Sequence, residues 1–556
     1  MKYQYFLGII MATLIFPLTV YSTVNSQSSQ TVIPSLDKTI IAPGGTTTMT
    51  FTITGNNSGG TINISSGVNF TLTTSTTSTV NAILQSSACT TENHTVTIPS
   101  GLDSCAVDAT VSDSTSDGTY KFSFSSSDFT FPLVDSLTFS VSGLGWKQIA
   151  VGYDSTCGIA TNGKTYCWGS NLQGQLGINN NDNTYQSTIP VAVDTDVEFV
   201  QISSGFGINC GVTADYAAYC WGANNSGALG TGSIGGNSAV PAQVTGGHSF
   251  KQISVGYKST CAVTTDNYAY CWGSNLQGQL GNTSYGSSSL ASTGTPAQVL
   301  DEEGNPISLA QISMGQFSAC GLNASGEAYC WGANNFGQLG IGNINGDSNV
   351  TCTEEKNNNQ SVEVSCFPYA KPVTTNQDGV ALNFNNIKVG HQTACGVAKT
   401  DGETYCWGDN EYGQLGNGES GATAYKKQPT AVEGGQKFLT VSAGHLTTCA
   451  INTNKKAYCW GANAAGQLGI DTYTDPSQVS TPTAVQHVEL FNSIFEGSYY
   501  TTCGVAKTGQ GYCWGRNNEG QLGIGSNATG ATCIIDTQGT TGLCEMLPTL
   551  VETPAS

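Results

Sequence analysis

Residues Thr156–Gly177 read TCGIATNGKTYCWGSNLQGQLG, and the chain writes nearly the same sentence seven times. Each copy carries a Cys, a short turn, Tyr-Cys-Trp-Gly, an Asn, and then Gly-Gln-Leu-Gly or, once, Gly-Ala-Leu-Gly at Gly227–Gly230. The copies anchor on Trp168, Trp221, Trp272, Trp331, Trp407, Trp460 and Trp514. Subtracting successive anchors gives spacings of 53, 51, 59, 76, 53 and 54 residues. A repeat of about 50 residues is the signature of a propeller, solenoid or array.

The inside of one unit decides among these. KQIAVG, STCGIA and KTYCWG are short β-prone runs, the last two flanking a Thr161-Asn162-Gly163 turn, which reads as a hairpin. A fourth β-like run follows in each unit, marked by Pro190, Pro241, Pro296, Pro372, Pro429, Pro482 and Pro548. Four short strands per unit with Gly-rich bends and no helical periodicity predict one blade each of a seven-bladed β-propeller, a closed ring with few free edges. The last run, Pro548–Val551, is expected to complete the blade begun by Lys147–Val151 and so close the ring.

The pattern of hairpin, Trp-Gly-x-Asn and Gly-Gln-Leu-Gly resembles the regulator of chromosome condensation repeat, whose family builds seven-bladed propellers. The resemblance covers about 146–551. One position departs: where those repeats usually carry a histidine two residues before the first Cys position, this chain has Ser155, Ile208, Ser259, Ser318, Thr393, Thr447 and Thr501. The resemblance implies a protein-binding propeller. The family's nuclear members imply guanine-nucleotide exchange on a small GTPase as an alternative.

Twenty cysteines accompany only 18 Lys plus Arg, an odd composition for a reducing cytosol. Fourteen form pairs that bracket the hairpin turns: Cys157 with Cys167, Cys210 with Cys220, Cys261 with Cys271, Cys320 with Cys330, Cys395 with Cys406, Cys449 with Cys459, and Cys503 with Cys513. A three-residue loop places such partners opposite one another on antiparallel strands, within disulfide reach. Zinc favours close Cys-x-x-Cys knuckles that converge four ligands, and no His stands near these pairs, so the expectation is one disulfide per blade and no metal or cofactor.

Upstream, residues 1–22 carry Lys2 and an apolar run from Phe6 to Val20, the form of a secretory signal peptide. No later run is apolar enough to span a bilayer. From 31 to 143 the composition shifts to Ser and Thr, Trp is absent, and alternating runs begin at Thr46, His94, Cys105, Thr119 and Ser136. About eight such runs predict a smaller, immunoglobulin-like β-sandwich, with Cys89 paired to Cys105. A net charge of −20 with 10% charged residues is a poor match to nucleic acid. The expected product is a secreted, cell-surface or periplasmic monomer.

Two connections exceed the rest. Gly340–Pro372 carries Cys352 and Cys366, and Gly523–Pro548 carries Cys533 and Cys544. They occupy the same slot in repeats four and seven and are expected on one face, where long stapled loops on a rigid scaffold tend to bind. A second constellation lies four residues before each first Cys: Tyr153, Phe206, Tyr257, Gln316, His391, His445 and Tyr499. Seven-fold placement predicts a ring at one mouth of the central channel, fit to stack on a sugar or anchor a protein. No nucleophile with a base, carboxylate pair or phosphate cradle accompanies these residues by spacing. The reading is therefore a binding module for a protein or glycan. A propeller lyase or hydrolase built on His391 and His445 is a further alternative.

Overall fold

In the computed structural model, the described residues are 31–553, leaving aside 38–39, 43–44, 55–59, 67–69, 75–89, 93, 99–103, 113–117, 127–128, 130, 132–135, 142, 181–184, 284–291, 356–360, 401, 471–477, 488, 498, 526–530 and 535–540. The proposed signal peptide and Cys89 lie outside them, and Cys105 is disulfide-bonded. Every regular element among the described residues is a strand.

Before residue 143 two sheets face one another. One orders its strands Thr31–Leu36, Thr46–Thr54, Ser104–Val111, Phe70–Thr74. The other runs Ile40–Ile41, Ser136–Val141, Gly118–Ser125, Gly60–Ser66, Thr95–Ile98, Thr90–Glu92. Among the described residues ten strands stand where the sequence suggested about eight, because short pieces such as Ile40–Ile41 escape a search for alternation. The alternation itself is real: Cys105, Val107, Ala109 and Val111 point inward, as do Phe122 and Phe124 while Lys121 and Ser123 face solvent.

From Trp146 onward the described residues form seven antiparallel blades, six of four strands and the seventh of five; strands follow one another in sequence except where the insertions of blades 4 and 7 intervene. Blade 1 is Trp146–Val151, Ser155–Ala160, Thr165–Ser170 and Gln186–Ala192. Blade 7 is Phe491–Glu496, Thr501–Ala506, Gly511–Arg516 and Thr541–Leu550, with Ala531–Ile534 added outside. The expected exchange of a terminal strand into blade 1 does not occur. Thr549 and Leu550 pair with Cys513 and Tyr512 of their own blade, because the hairpin partner nearest in sequence is already in register.

The repeated motifs instead close the ring side by side. Each anchor tryptophan is fully buried, and its indole N–H donates to a backbone carbonyl in the preceding repeat's Gly-Gln/Ala-Leu-Gly turn. Trp221 reaches Gln175, Trp272 reaches Ala228, Trp331 reaches Gln279, Trp407 reaches Gln338, Trp460 reaches Gln414 and Trp514 reaches Gln467. Trp168 of blade 1 reaches Gln521 of blade 7 at 2.9 Å, the same contact made across the ends of the chain. The turn's last glycine has positive φ and lies flat against that indole: a Cβ on Gly523 would stand 2.7 Å from Trp168 Nε1. Within each turn the motif asparagine accepts the N–H of the leucine five residues on, as Asn171 does from Leu176 and Asn517 from Leu522. Trp-Gly-x-Asn and Gly-Gln-Leu-Gly are thus two halves of one inter-blade lock.

All seven hairpin disulfides form as the spacing predicted, with Cα atoms 4.0–4.1 Å apart. The bridged residues sit directly opposite one another, as in Cys157↔Cys167. Cys352–Cys366 and Cys533–Cys544 form as well, at Cα separations of 6.2 and 6.0 Å.

Antiparallel order fixes the faces. Connections from first to second strand and from third to fourth emerge together on an upper face, and the others emerge below. The sandwich docks below, on the Lys507–Gly509 turn of blade 7. Lys507 pairs with Asp108 at 2.7 Å, while Ala42 N donates to Thr508 O and Thr46 N to Lys507 O, both at 2.8 Å.

Candidate functional site

The first strands of the blades surround a central cavity of about 390 Å³. All seven residues of the predicted register, Tyr153, Phe206, Tyr257, Gln316, His391, His445 and Tyr499, line it. The preceding glycines allow this convergence. A Cβ on Gly205, Gly256, Gly315 or Gly390 would come within 2.1–2.2 Å of the next blade's glycine carbonyl. The freed space lets His391 N donate to Gly444 O at 3.0 Å and Tyr153 N to Gly205 O at 3.1 Å.

The aromatic circle closes, with one substitution. Ring centroids run Tyr499–Tyr153 4.5 Å, Tyr153–Phe206 4.6 Å, Phe206–Tyr257 4.4 Å, Tyr257–Phe317 5.8 Å, Phe317–His391 6.1 Å, His391–His445 4.4 Å and His445–Tyr499 5.0 Å. In blade 4 the aromatic member is Phe317, while Gln316 at the counted position faces the cavity. Blade 7 has one residue more than the others between its Gly497 and Cys503. Tyr500 absorbs the insertion at φ 56, an uncommon conformation for a bulky side chain.

Electrostatics gather on one side of this circle. His391 and His445 stack, enclosed, with both Nδ1 atoms lacking a partner. Burial, joined by the neighbouring His445, holds His391 well below the usual imidazole range, and burial lowers His445 to about 4. Arg516 lies over the rings of Tyr153 and Tyr499 at 5.5 and 5.4 Å and bonds Asp154 at 2.9 Å. Burial still raises Asp154 to about 6 against that cation.

Two further channel residues escaped the sequence reading. Lys388 of blade 5 lines the cavity, and burial lowers its pKa. Glu496 of blade 7 lines it too and is raised to about 8 by burial, although Thr447 and Thr502 hydroxyls donate to its oxygens at 2.9 and 3.0 Å. Both interrupt columns that are small or apolar in the other blades. Aligning the seven first strands on their Gly would have exposed them. Glu496 also touches Cys449 Sγ, and Cys449, Cys459 and Glu496 group closely enough for a metal. The two sulfurs are joined in a disulfide, so neither offers the thiolate that a metal needs.

The stapled loops stand on the same face as the circle. The blade 4 loop forms a hairpin, Cys352–Glu355 with Ser361–Val364, and rests on blade 3 through Thr353 N to Leu276 O. The blade 7 loop buries Cys533 and Cys544 with Tyr500, Met546, Leu446 and Ala465, against which Tyr499 packs. Leu172, Ile234, Leu276 and Val362, 38–55% exposed, lie in third-to-fourth connections of the same face.

The model of the RCC1-like domain matches residues 125–490, and that of the regulator of chromosome condensation (RCC1) repeat matches 508–556. The chain belongs to the RCC1-like domain family. Human E3 ubiquitin-protein ligase HERC2 is 25% identical over 385 residues, 63% of this chain but 8% of that protein. The ultraviolet-B receptor UVR8 of Arabidopsis thaliana is 26% identical over 331 residues, covering 59% of this chain and 68% of the receptor. The chain therefore spans less than a tenth of the ligase and about two thirds of the receptor. Among solved structures, Prp20p from Saccharomyces cerevisiae aligns at TM-score 0.55 and 18% identity over 74% of this chain and 88% of its own. Human WBSCR16 aligns at 0.54 and 18% over 70% and 94%. At these identities the likeness is one of RCC1-like fold.

Proposed function

We propose that the protein is an exported, monomeric binding module that recognises a protein or glycan through the upper face of its propeller. One observation carries the reading: two disulfide-stapled insertions and the aromatic-ringed mouth share one face, and the sandwich occupies the opposite one. That leaves the upper face free, with single apolar side chains set among polar ones, the composition of a recognition surface. The solved structures of yeast Prp20 include one bound to Kap60 and one concerned with binding Gsp1p and histones. These are precedents for RCC1-type propellers engaging proteins, and this chain's partner is a separate matter. Export rests on the leader-like residues 1–22 and on every described cysteine being disulfide-bonded. No helix among the described residues is long and apolar enough to cross a membrane. The immunoglobulin-like reading of the N-terminal sheets, spanning 31–143, belongs to the same proposal, as a spacer that presents the propeller.

The test is capture from extracellular and cell-surface fractions by the full oxidised chain, beside a form in which residues 348–364 and 527–541 are each replaced by a short turn. Loss of the captured species with the shortened loops, at unchanged unfolding temperature, supports the reading. Equal capture overturns it. Stimulated nucleotide release from a small GTPase by both forms would place the activity with guanine-nucleotide exchange instead.

A further inference from the structure

The channel wall is asymmetric in a way that the sevenfold frame does not require. In blades 2, 3, 4 and 6 the residue after the first-strand Ile or Val is Ser203, Ser254, Ser313 or Ser442. Each hydroxyl accepts a backbone N–H from the next blade, those of Val255, Met314, Val389 and Glu496, at 2.9–3.0 Å. The column therefore marks the blade junctions along the channel. Blade 5 carries Lys388 in that column, at its junction with blade 6. The same two blades contribute the stacked His391 and His445, so three nitrogen-bearing side chains share one junction.

None of the three has its polar end satisfied. Among the described residues Lys388 makes no ion pair or hydrogen bond, and both imidazole Nδ1 atoms are orphaned. Glu496, the carboxylate on the same side of the cavity, takes the Thr447 and Thr502 hydroxyls rather than the lysine. Lys388 is partly buried, faces the cavity with no anion beside it, and desolvation there lowers its pKa. What would complete it is one negative charge brought from outside to the lysine, beside the stacked imidazole faces.

We infer that the central channel binds a small aromatic monocarboxylate, its carboxylate on Lys388 and within reach of the His391–His445 pair, its ring stacked within the aromatic circle. A single ammonium matches one charge, whereas a phosphate dianion calls for several cations or a row of backbone N–H groups. The cavity of about 390 Å³ falls within the usual range for small-molecule sites. Seven ring-bearing side chains at its mouth favour a planar body over an aliphatic one. This ligand is distinct from the macromolecular partner of the upper face.

The test titrates the full oxidised chain with naphthalene-2-carboxylate, naphthalene-2-carboxamide and acetate, reading probe fluorescence and calorimetry. The expected result is saturable one-to-one binding of the naphthoate, at least tenfold weaker binding of the carboxamide, and none of acetate. K388M should weaken the naphthoate at least tenfold, K388R should retain it within a few fold, and His391→Phe should weaken it severalfold. Far-ultraviolet circular dichroism and the unfolding temperature confirm that each variant folds. No saturable binding of the naphthoate, or equal affinity in K388M, overturns the lysine site. Acetate binding as tightly as the naphthoate overturns the aromatic part.

Discussion

The rim of the propeller and its channel are built from the same seven repeats and behave in opposite ways. At the rim every blade repeats one contact, a buried indole donating to the preceding turn, and the seventh joins the chain's two ends. Along the channel corresponding positions diverge: alanine in blade 1, serine in four blades, lysine in blade 5 and phenylalanine in blade 7, with a carboxylate beside it. The rim varies little, with Ala228 the one departure among the seven turns, because each lock joins two neighbouring blades of a closed ring. The channel wall is free of that constraint, so individuality there calls for a separate explanation, and ligand binding supplies one.

The comparison breaks first at the lock. Trp331→Ala leaves a large cavity between blades 3 and 4 and should cost about 3–5 kcal/mol in urea unfolding. A loss under about 1 kcal/mol would mean that the lock does not hold the ring.

The next effect lies in the channel and depends on pH. Glu496 keeps its proton to about 8 in the fold but ionises at ordinary carboxylate pH when unfolded. The folded state therefore binds more protons between those values, and stability falls as pH rises through that window. Glu496→Gln should be neutral near pH 4.5 and stabilising by about 1–3 kcal/mol at pH 9, measured by chemical denaturation at both values. His445 works in the opposite sense. It is held neutral to about 4, so its contribution is lost as pH falls from about 6.5 toward 4. His445→Phe should flatten the acid limb of the stability profile.

A smaller difference separates the disulfides. Removing Cys320–Cys330 by paired alanine changes should cost at most about 2–3 kcal/mol, since the hairpin already restricts its own unfolded chain. Unfolding should stay cooperative, because locks rather than bridges couple the blades. The smallest stability effect is expected at the mouth: Tyr257→Ala should shift unfolding by less than about 1 kcal/mol while weakening partner capture.

These contrasts also explain what the sequence made legible. Repetition exposed the blades, the hairpin disulfides and the register of seven mouth residues, since periodic placement follows from the backbone alone. Lys388 and Glu496 stand out only when the seven first strands are aligned on their Gly, whereas Arg516 and Phe317 take their meaning from neighbours in other blades. Phe317 shows the limit most clearly: counting four residues back selects Gln316, but the side chain that completes the circle is one residue further on. The terminal strand was misassigned because Pro-Val precedes every Gln-Ile-like strand in sequence, while pairing follows the hairpin behind it.

The most direct test of a rigid rim presenting a variable, recognising face is quantitative partner capture by three folded forms of the full chain: native, both stapled loops shortened, and Lys507→Ala at the sandwich junction. The account predicts capture lost only when the loops are shortened, with Lys507→Ala binding like the native protein. Capture that survives loop shortening, or that falls only with Lys507→Ala, would contradict it.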